Sequence, residues 1–181
     1  MGGKGNVVVI QGVLDNDASK EHQSGAEAVW KKDFPGIKVI GMQASQYDSD
    51  KARTAIQNFI QPFGTQINGV LSITNNMATA AAVIQASPLK GKMTIVSRGG
   101  QQQFIDHIKQ GKVYATTPEL PVSEASMGLQ LATDPLKGDK TPRYVNEIDL
   151  PTVAALTVTS WTRPMWTSSN RSGELSGTGV R

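Results

Sequence analysis

Four times along this chain an apolar, strand-like run passes through a polar turn into an amphipathic, helix-like stretch. No glycine-rich phosphate loop sits at any of those turns. The first unit is Asn6-Val-Val-Val-Ile10, then Gln11 to Asp17, then Ala18 to Lys32. Such alternation predicts an α/β fold of three layers, a parallel sheet with helices on both faces. In such folds ligands bind at the strand C-ends. Here those ends carry Gln11, Asn16, Tyr47, Thr74, Asn75 and Gln101 to Gln103. They are uncharged, aromatic and rich in amides, which suits a small hydroxylated ligand better than a nucleotide.

The predicted strands are Val7–Gln11, Ile37–Gly41, Gly69–Ile73, Met93–Ser97 and Lys112–Thr117. Asp17 is the expected N-cap of the first helix. Ala18, His22, Gly25 and Val29 recur at helical spacing and are expected to share one face. The second helix, about Asp50 to Gln61, has the stripe Ala52, Ala55, Ile56, Phe59 and Ile60. An alanine-rich helix starts near Asn76. Gly99-Gly100 turn into a fourth helix with Phe104, Ile105 and Ile108 inward, closed by Gly111. Pro118-Glu-Leu-Pro121 reads as a crossing segment, followed by a helix over 122–133 that Asp134-Pro135 ends or kinks. Residues 144–150 read as one more strand. Residues 154–181 hold Ser and Thr without apolar period and are expected to be disordered or alien to the fold.

Composition excludes several functions. A pI near 9.2 suggests nucleic acid, but the net charge is only +3. Arg163, Arg171, Arg181 and Glu174 put +2 of it in the tail, leaving +1 for residues 1–153. No basic patch is interleaved with aromatics, so no nucleic-acid footprint is read. No apolar run approaches the roughly 18 residues of a membrane span, so no membrane insertion is expected. The start, Met1-Gly-Gly-Lys-Gly5, carries no apolar stretch after its charge, and no signal peptide is read there. The chain has no cysteine, which removes thiol nucleophiles, disulfides and thiolate metal sites but leaves the redox compartment open. No cofactor or metal is expected, since the two histidines lack ligand spacing. Asp15-Asn16-Asp17 would need a further acid after another strand to hold Mg²⁺, so it reads as a capping turn.

The order of motifs resembles the C-terminal half of the ribose-type periplasmic sugar-binding proteins, the type I periplasmic binding proteins. The resemblance covers about residues 4–153. It is carried by Gln11-Gly12-Val13, Tyr47-Asp48, Asn75-Asn76-Met77, Gly111-Lys112, Glu119-Leu120-Pro121 and Glu147-Ile-Asp-Leu-Pro151. It implies two α/β lobes joined by three crossing segments, a sugar clamped between them, and delivery to the permease of an ABC importer in the periplasm or outside the cell. It also implies an incomplete chain. Residues 1–117 would be most of the second lobe without its first helix. Residues 118–153 would be crossing segments and a helix belonging to an absent first lobe, and 154–181 would be the tail.

Carried over by resemblance, the family's apolar contact after strand one falls on Val13, and its helix arginine on His22. The stacking aromatic falls on Tyr47, and the asparagine after strand three on Thr74, with Asn75 next in line. The aromatic-Asp-Gly turn after strand four falls on Arg98-Gly99-Gly100, so the sugar-binding aspartate is absent. The glutamine of the crossing segment falls on Glu119. Each has a plainer reading. Tyr47 is either a stacking platform or a ring over the sheet edge. His22 is either a ligand contact or a half-buried structural histidine, and His107 is expected on the solvent face. Arg98 beside a Gly-Gly turn and a helix N-terminus suits a carboxylate or phosphate; otherwise it pairs with an acid such as Asp106 or is solvated.

The reading is a binding module, not an enzyme: the solute-binding component of an ABC-type sugar importer. The alternative is the ligand-sensing domain of a LacI-like transcription regulator. The identity and charge of the sugar stay open.

Overall fold

The computed structural model describes residues 1–142 and the backbone of 161–162. Five strands run parallel: β1 (Lys4–Gln11), β2 (Gly36–Ala44), β3 (Ile67–Ser72), β4 (Thr94–Gly99) and β5 (Ala115–Pro118). A two-residue strand, β6 (Trp161–Thr162), lies antiparallel on β5. The sheet order is β2-β1-β3-β4-β5-β6. The chain steps from β1 to β2 in one direction and then to β3 on the other side of β1. This reversal opens a crevice between the C-ends of β1 and β3.

β1 lies at the centre of that arrangement, and its side chains account for the place. Val7, Val8, Val9 and Ile10 are all buried, as expected of a strand covered on both faces. Alternation sends Val8 and Ile10 to one side and Val7 and Val9 to the other. The two sides are unequal. Val8 and Ile10 enter a large core with Ala52, Ala55, Ile56 and Phe59 of α2 (Ser49–Phe63), Ala80, Ala81 and Ile84 of α3 (Ala78–Gln85), and Phe104 and Ile108 of α4 (Gln102–Lys109). Val7 and Val9 enter a small one with Ile73, Trp30, Ile37 and Leu71. Trp30 belongs to α1 (Asp17–Asp33), the helix of that layer. A groove of about 420 Å³ lies open beside it, lined by Trp30, Pro35, Ile37, Val39 and Met42 among others.

The helix stripes of α2 and α4 fall where the spacing predicts. Gly111 closes α4 with φ +70°. α1 does not follow its prediction. Its N-cap is Asn16, whose Oδ1 accepts from Ser19 N at 3.2 Å, and Asp17 is already helical. Ala18, His22, Gly25 and Val29 do not form the inward face, since His22, Gly25 and Val29 are exposed. The inward row is Ser19, Gln23, Ala26 and Trp30, one residue further along. Its polar members bond inward, Ser19 to Tyr47 and Gln23 to Gln11, so hydropathy alone points to the wrong face.

β5 starts later than predicted because the Lys112 and Val113 amides both donate to the His107 carbonyl, at 2.8 and 3.3 Å, finishing α4. The helix α5 (Pro121–Thr133) ends where Asp134-Pro135 begin a 3₁₀ turn. The strand expected over 144–150 lies outside the described residues. So does the tail of 154–181, apart from β6.

Candidate functional site at the carboxyl edge of the sheet

Register brings the strand ends together. Gln11 pairs with Ala44, and the Ser45 and Gln46 amides donate to the Gln11 and Gly12 carbonyls at 2.9 and 3.1 Å. The Ile73 amide donates to the Ile10 carbonyl at 2.8 Å, and Gly99 pairs with Pro118. The loops holding Val13, Tyr47, Asn75 and Glu119 therefore leave one edge of the sheet, the edge at which Arg98 stands near the end of β4. Val13, Leu14, Asn16, Gln101 and Gln102 are exposed, so the edge is open to solvent.

At the β1–β2 end, Tyr47 is held from beneath. Its hydroxyl lies 3.1 Å from Ser19 Oγ. A Cβ on Gly12 would come within 2.6 Å of the ring, so the ring occupies space that only glycine leaves. Gln46 and Tyr47 both have φ near +55°, at 54° and 56°, a conformation costing about 1–2 kcal/mol per non-glycine residue. Asp48 stabilises the turn as N-cap of α2, accepting from Lys51 N at 2.8 Å. The half-buried ring thus lies over the sheet edge with its hydroxyl spent inward. Val13 sits in the next turn, where its carbonyl accepts from Asn16 N at 3.2 Å.

At the β3 end, Thr74 is fully buried. Its hydroxyl donates to Asn76 Oδ1, and its carbonyl accepts from Ser72 Oγ at 2.9 Å. The next residue, Asn75, is half-buried, and its amide makes no hydrogen bond among the described residues. Of these two, Asn75 is the one with polar capacity to spare.

Asn75 lies against Gly99: a Cβ built there would be 2.7 Å from the Asn75 Cβ and 3.8 Å from Glu119 Oε2. Arg98 Nη2 pairs with Glu119 Oε1, and Arg98 Nη1 donates to the Ile73 carbonyl at 3.4 Å. One guanidinium therefore ties the ends of β3, β4 and β5. The acid it meets is Glu119; Asp106 instead accepts from Gln102 at 3.0 Å. Arg98 does not stand as a free cation awaiting an anion.

The histidines correct two expectations. His22 is exposed, with Nδ1 2.5 Å from the Ala18 carbonyl oxygen on the outer face of α1. His107 is half-buried, edge-on to Phe104 at 6.5 Å. Burial, and then the charge of Lys112, push its pKa below the ordinary imidazole value.

The structure thus joins Asn75, Arg98, Gly99 and Glu119 in one corner and sets Val13 and Tyr47 at the neighbouring strand end. It buries Thr74 and leaves His22 on a helix face. Gly12, read in the sequence only as part of the Gln11-Gly12-Val13 motif, and Ser19 seat Tyr47. The signal was a glycine directly after an apolar strand. No group of acids and histidines able to hold a metal occurs among the described residues. The edge offers amides, a carboxylate and a ring, the equipment of hydroxyl recognition.

A parallel sheet flanked by helices, with its loops gathered at a polar, open carboxyl edge, defines an α/β lobe. Over residues 1–140 the sequence matches the periplasmic binding protein domain family, and the chain belongs to it. Among its relatives, the xylitol-binding protein of Mycolicibacterium smegmatis is 33% identical over 150 residues, 80% of this chain and 42% of that protein. The D-allose-binding periplasmic protein of Escherichia coli is 27% identical, covering 77% of this chain and 47% of that protein. Among solved structures, a periplasmic solute-binding protein of Actinobacillus succinogenes with bound D-allose superimposes with TM-score 0.73 at 26% identity, covering 80% of this chain and 52% of that one. The chain spans about half the length of the curated relatives it matches.

Proposed function

We propose that this chain forms one side of the ligand cleft of a solute-binding protein, which captures a sugar or sugar-like polyol and presents it to an ABC importer. The observation that carries this is the convergence of Asn75, Gly99, Glu119 and Tyr47 on one open sheet edge. Family membership supports it. Hydroxyls would bond to the Asn75 amide and the Glu119 carboxylate, Tyr47 would offer a ring to the sugar's apolar face, and Val13 an apolar contact. The periplasmic relatives favour a location outside the cytoplasm. No observation favours a regulator's sensor domain.

The helix α5 supports the division at residue 117. Val122 and Leu129 of α5 are 78% and 67% exposed, and Leu136 in the 3₁₀ turn after it is 86% exposed. An apolar stripe of that kind belongs to a helix made to pack on something else. Residues 118–153 read as the segment that crosses to a second lobe and packs there.

A cleft shared by two lobes gives an isolated lobe about half of its contacts. If the two sides contribute similarly, a micromolar site of about 8 kcal/mol falls to about 4 kcal/mol, which is millimolar. Calorimetry of the 181-residue chain with pentoses, hexoses, pentitols and sugar acids tests this. Millimolar binding of a polyhydroxy ligand is expected. A micromolar constant would show that the site is complete in one chain or rebuilt by a dimer, and no binding to any member of the panel would sink the reading.

A further inference from the structure

The corner of Arg98, Gly99, Asn75 and Glu119 carries an inference about ligand charge, which rests on the binding reading above. An anion recognised by arginine uses two parallel N–H groups of one guanidinium. Here Nη2 of Arg98 faces Glu119 and Nη1 donates to the Ile73 carbonyl at 3.4 Å, so the two nitrogens of that fork are turned to groups of the lobe. Its Nε is buried without a partner among the described residues. The Arg98 side chain is 18% exposed and that of Glu119 is 29%, so the acid is the more accessible member of a neutral pair.

Position 99 decides what meets the ligand. With no side chain there, Glu119 Oε2 lies 3.8 Å from the empty Cβ position, and Asn75 closes the other side at 2.7 Å. Both residues reach the same small patch of sheet edge. A carboxylate oxygen accepts from a hydroxyl, and an amide beside it donates to or accepts from the next one. Two adjacent hydroxyls match this pairing. A carboxylate or phosphate in the same place would meet Glu119, the nearer and negative end of the pair, before it met Arg98, an unfavourable encounter even though the pair is neutral as a whole.

The geometry points to the Arg98–Glu119 pair as a specificity-determining element that admits uncharged polyhydroxy ligands and refuses their acidic counterparts. Arg98 acts as a positioning residue: it fixes the Glu119 carboxylate and cancels its charge toward the lobe. Glu119 and Asn75 make the contacts.

The test is an NMR titration of the ¹⁵N-labelled 181-residue chain with xylitol and, separately, with xylonate. Three proteins are compared: the wild type, Glu119→Gln, and the double variant Arg98→Gln/Glu119→Gln, which leaves no unpaired charge should the single variant fail to fold. For the wild type, xylitol should shift the amides of Asn75, Gly99 and Gly100 and bind at least about tenfold more tightly than xylonate, a gap of about 1.4 kcal/mol. In Glu119→Gln, with Arg98 released, that preference should disappear or reverse, and the double variant should also lose it. Xylonate binding to the wild type as tightly as xylitol would overturn the inference. So would the preference surviving in every folded variant. In both cases xylitol still binds, and the binding reading stands. Absence of any shift at this edge with xylitol and with every member of the panel above would overturn both.

Discussion

The Tyr47 hydroxyl rests 3.1 Å from Ser19 Oγ, directly over the α-carbon of Gly12. A loop between β2 and α2 is thereby seated on the turn between β1 and α1, although 28 residues separate the two side chains. A methyl group on Gly12 would lie 2.6 Å from the ring and 2.7 Å from Ser19 Oγ. Gly12→Ala is expected to displace the ring and cost about 1–3 kcal/mol, the range for overpacking. Chemical denaturation measures the loss, and the NMR chemical shifts of the Tyr47 ring report its surroundings. If stability and shifts are both unchanged, the ring is not seated as described.

The first helix offers a comparison of neighbours. Asn16 caps α1 by accepting from Ser19 N, whereas Asp17 adds charge to its first turn and lies 3.9 Å from Lys20 Nζ. Asn16→Ala should cost about 1 kcal/mol, and Asp17→Ala about 0.3–1 kcal/mol at low salt. Added salt should erase the second effect and spare most of the first. Thermal melts of both variants at low and high ionic strength make the distinction, and a larger loss at Asp17 would return the cap to that residue.

His107 makes stability depend on pH. Burial first, and then Lys112, lower its pKa in the folded state below the ordinary value of 6.5. Below pH 6.5 the unfolded chain therefore binds more protons at this site than the folded one. The resulting stability is complete above pH 6.5 and is lost as the pH falls through the folded-state pKa. Denaturant midpoints of the wild type and His107→Gln, followed from pH 7.5 to 4.5, should differ in slope below 6.5, with the shallower profile in the variant. Parallel profiles would contradict the assignment.

The unequal layers of the sheet have an energetic counterpart. Phe104 is fully buried in the large core shared by α2, α3 and α4, whereas Trp30 is half-buried on the thin α1 side. Phe104→Ala should cost about 3–5 kcal/mol, a large share of the 5–15 kcal/mol that holds a typical domain. Trp30→Ala, beside an open groove, should cost clearly less. Equal losses in urea titrations would show the two sides to be packed alike.

Strand order along the chain, the parallel sheet, the inward stripes of α2 and α4 and the edge that gathers the loops were all legible in the sequence. The reason is local. Val7 to Ile10 cannot be hidden except by layers on both sides, and the 3–4 spacing of Ala52, Ala55, Ile56 and Phe59 allows one buried face. The face of α1 was not legible. Its inward positions are polar: Ser19 is buried and Gln23 half-buried, bonded to partners on other elements, Tyr47 and Gln11. The state of Arg98 was equally hidden. In sequence it is a cation beside two glycines, and Glu119, 21 positions away, becomes its partner only because β4 and β5 pair Arg98 with Thr117 and Gly99 with Pro118. Periodicity records where a side chain's own helix or strand points it. Which distant group meets it there is decided by strand register, and that exists only once the sheet has formed.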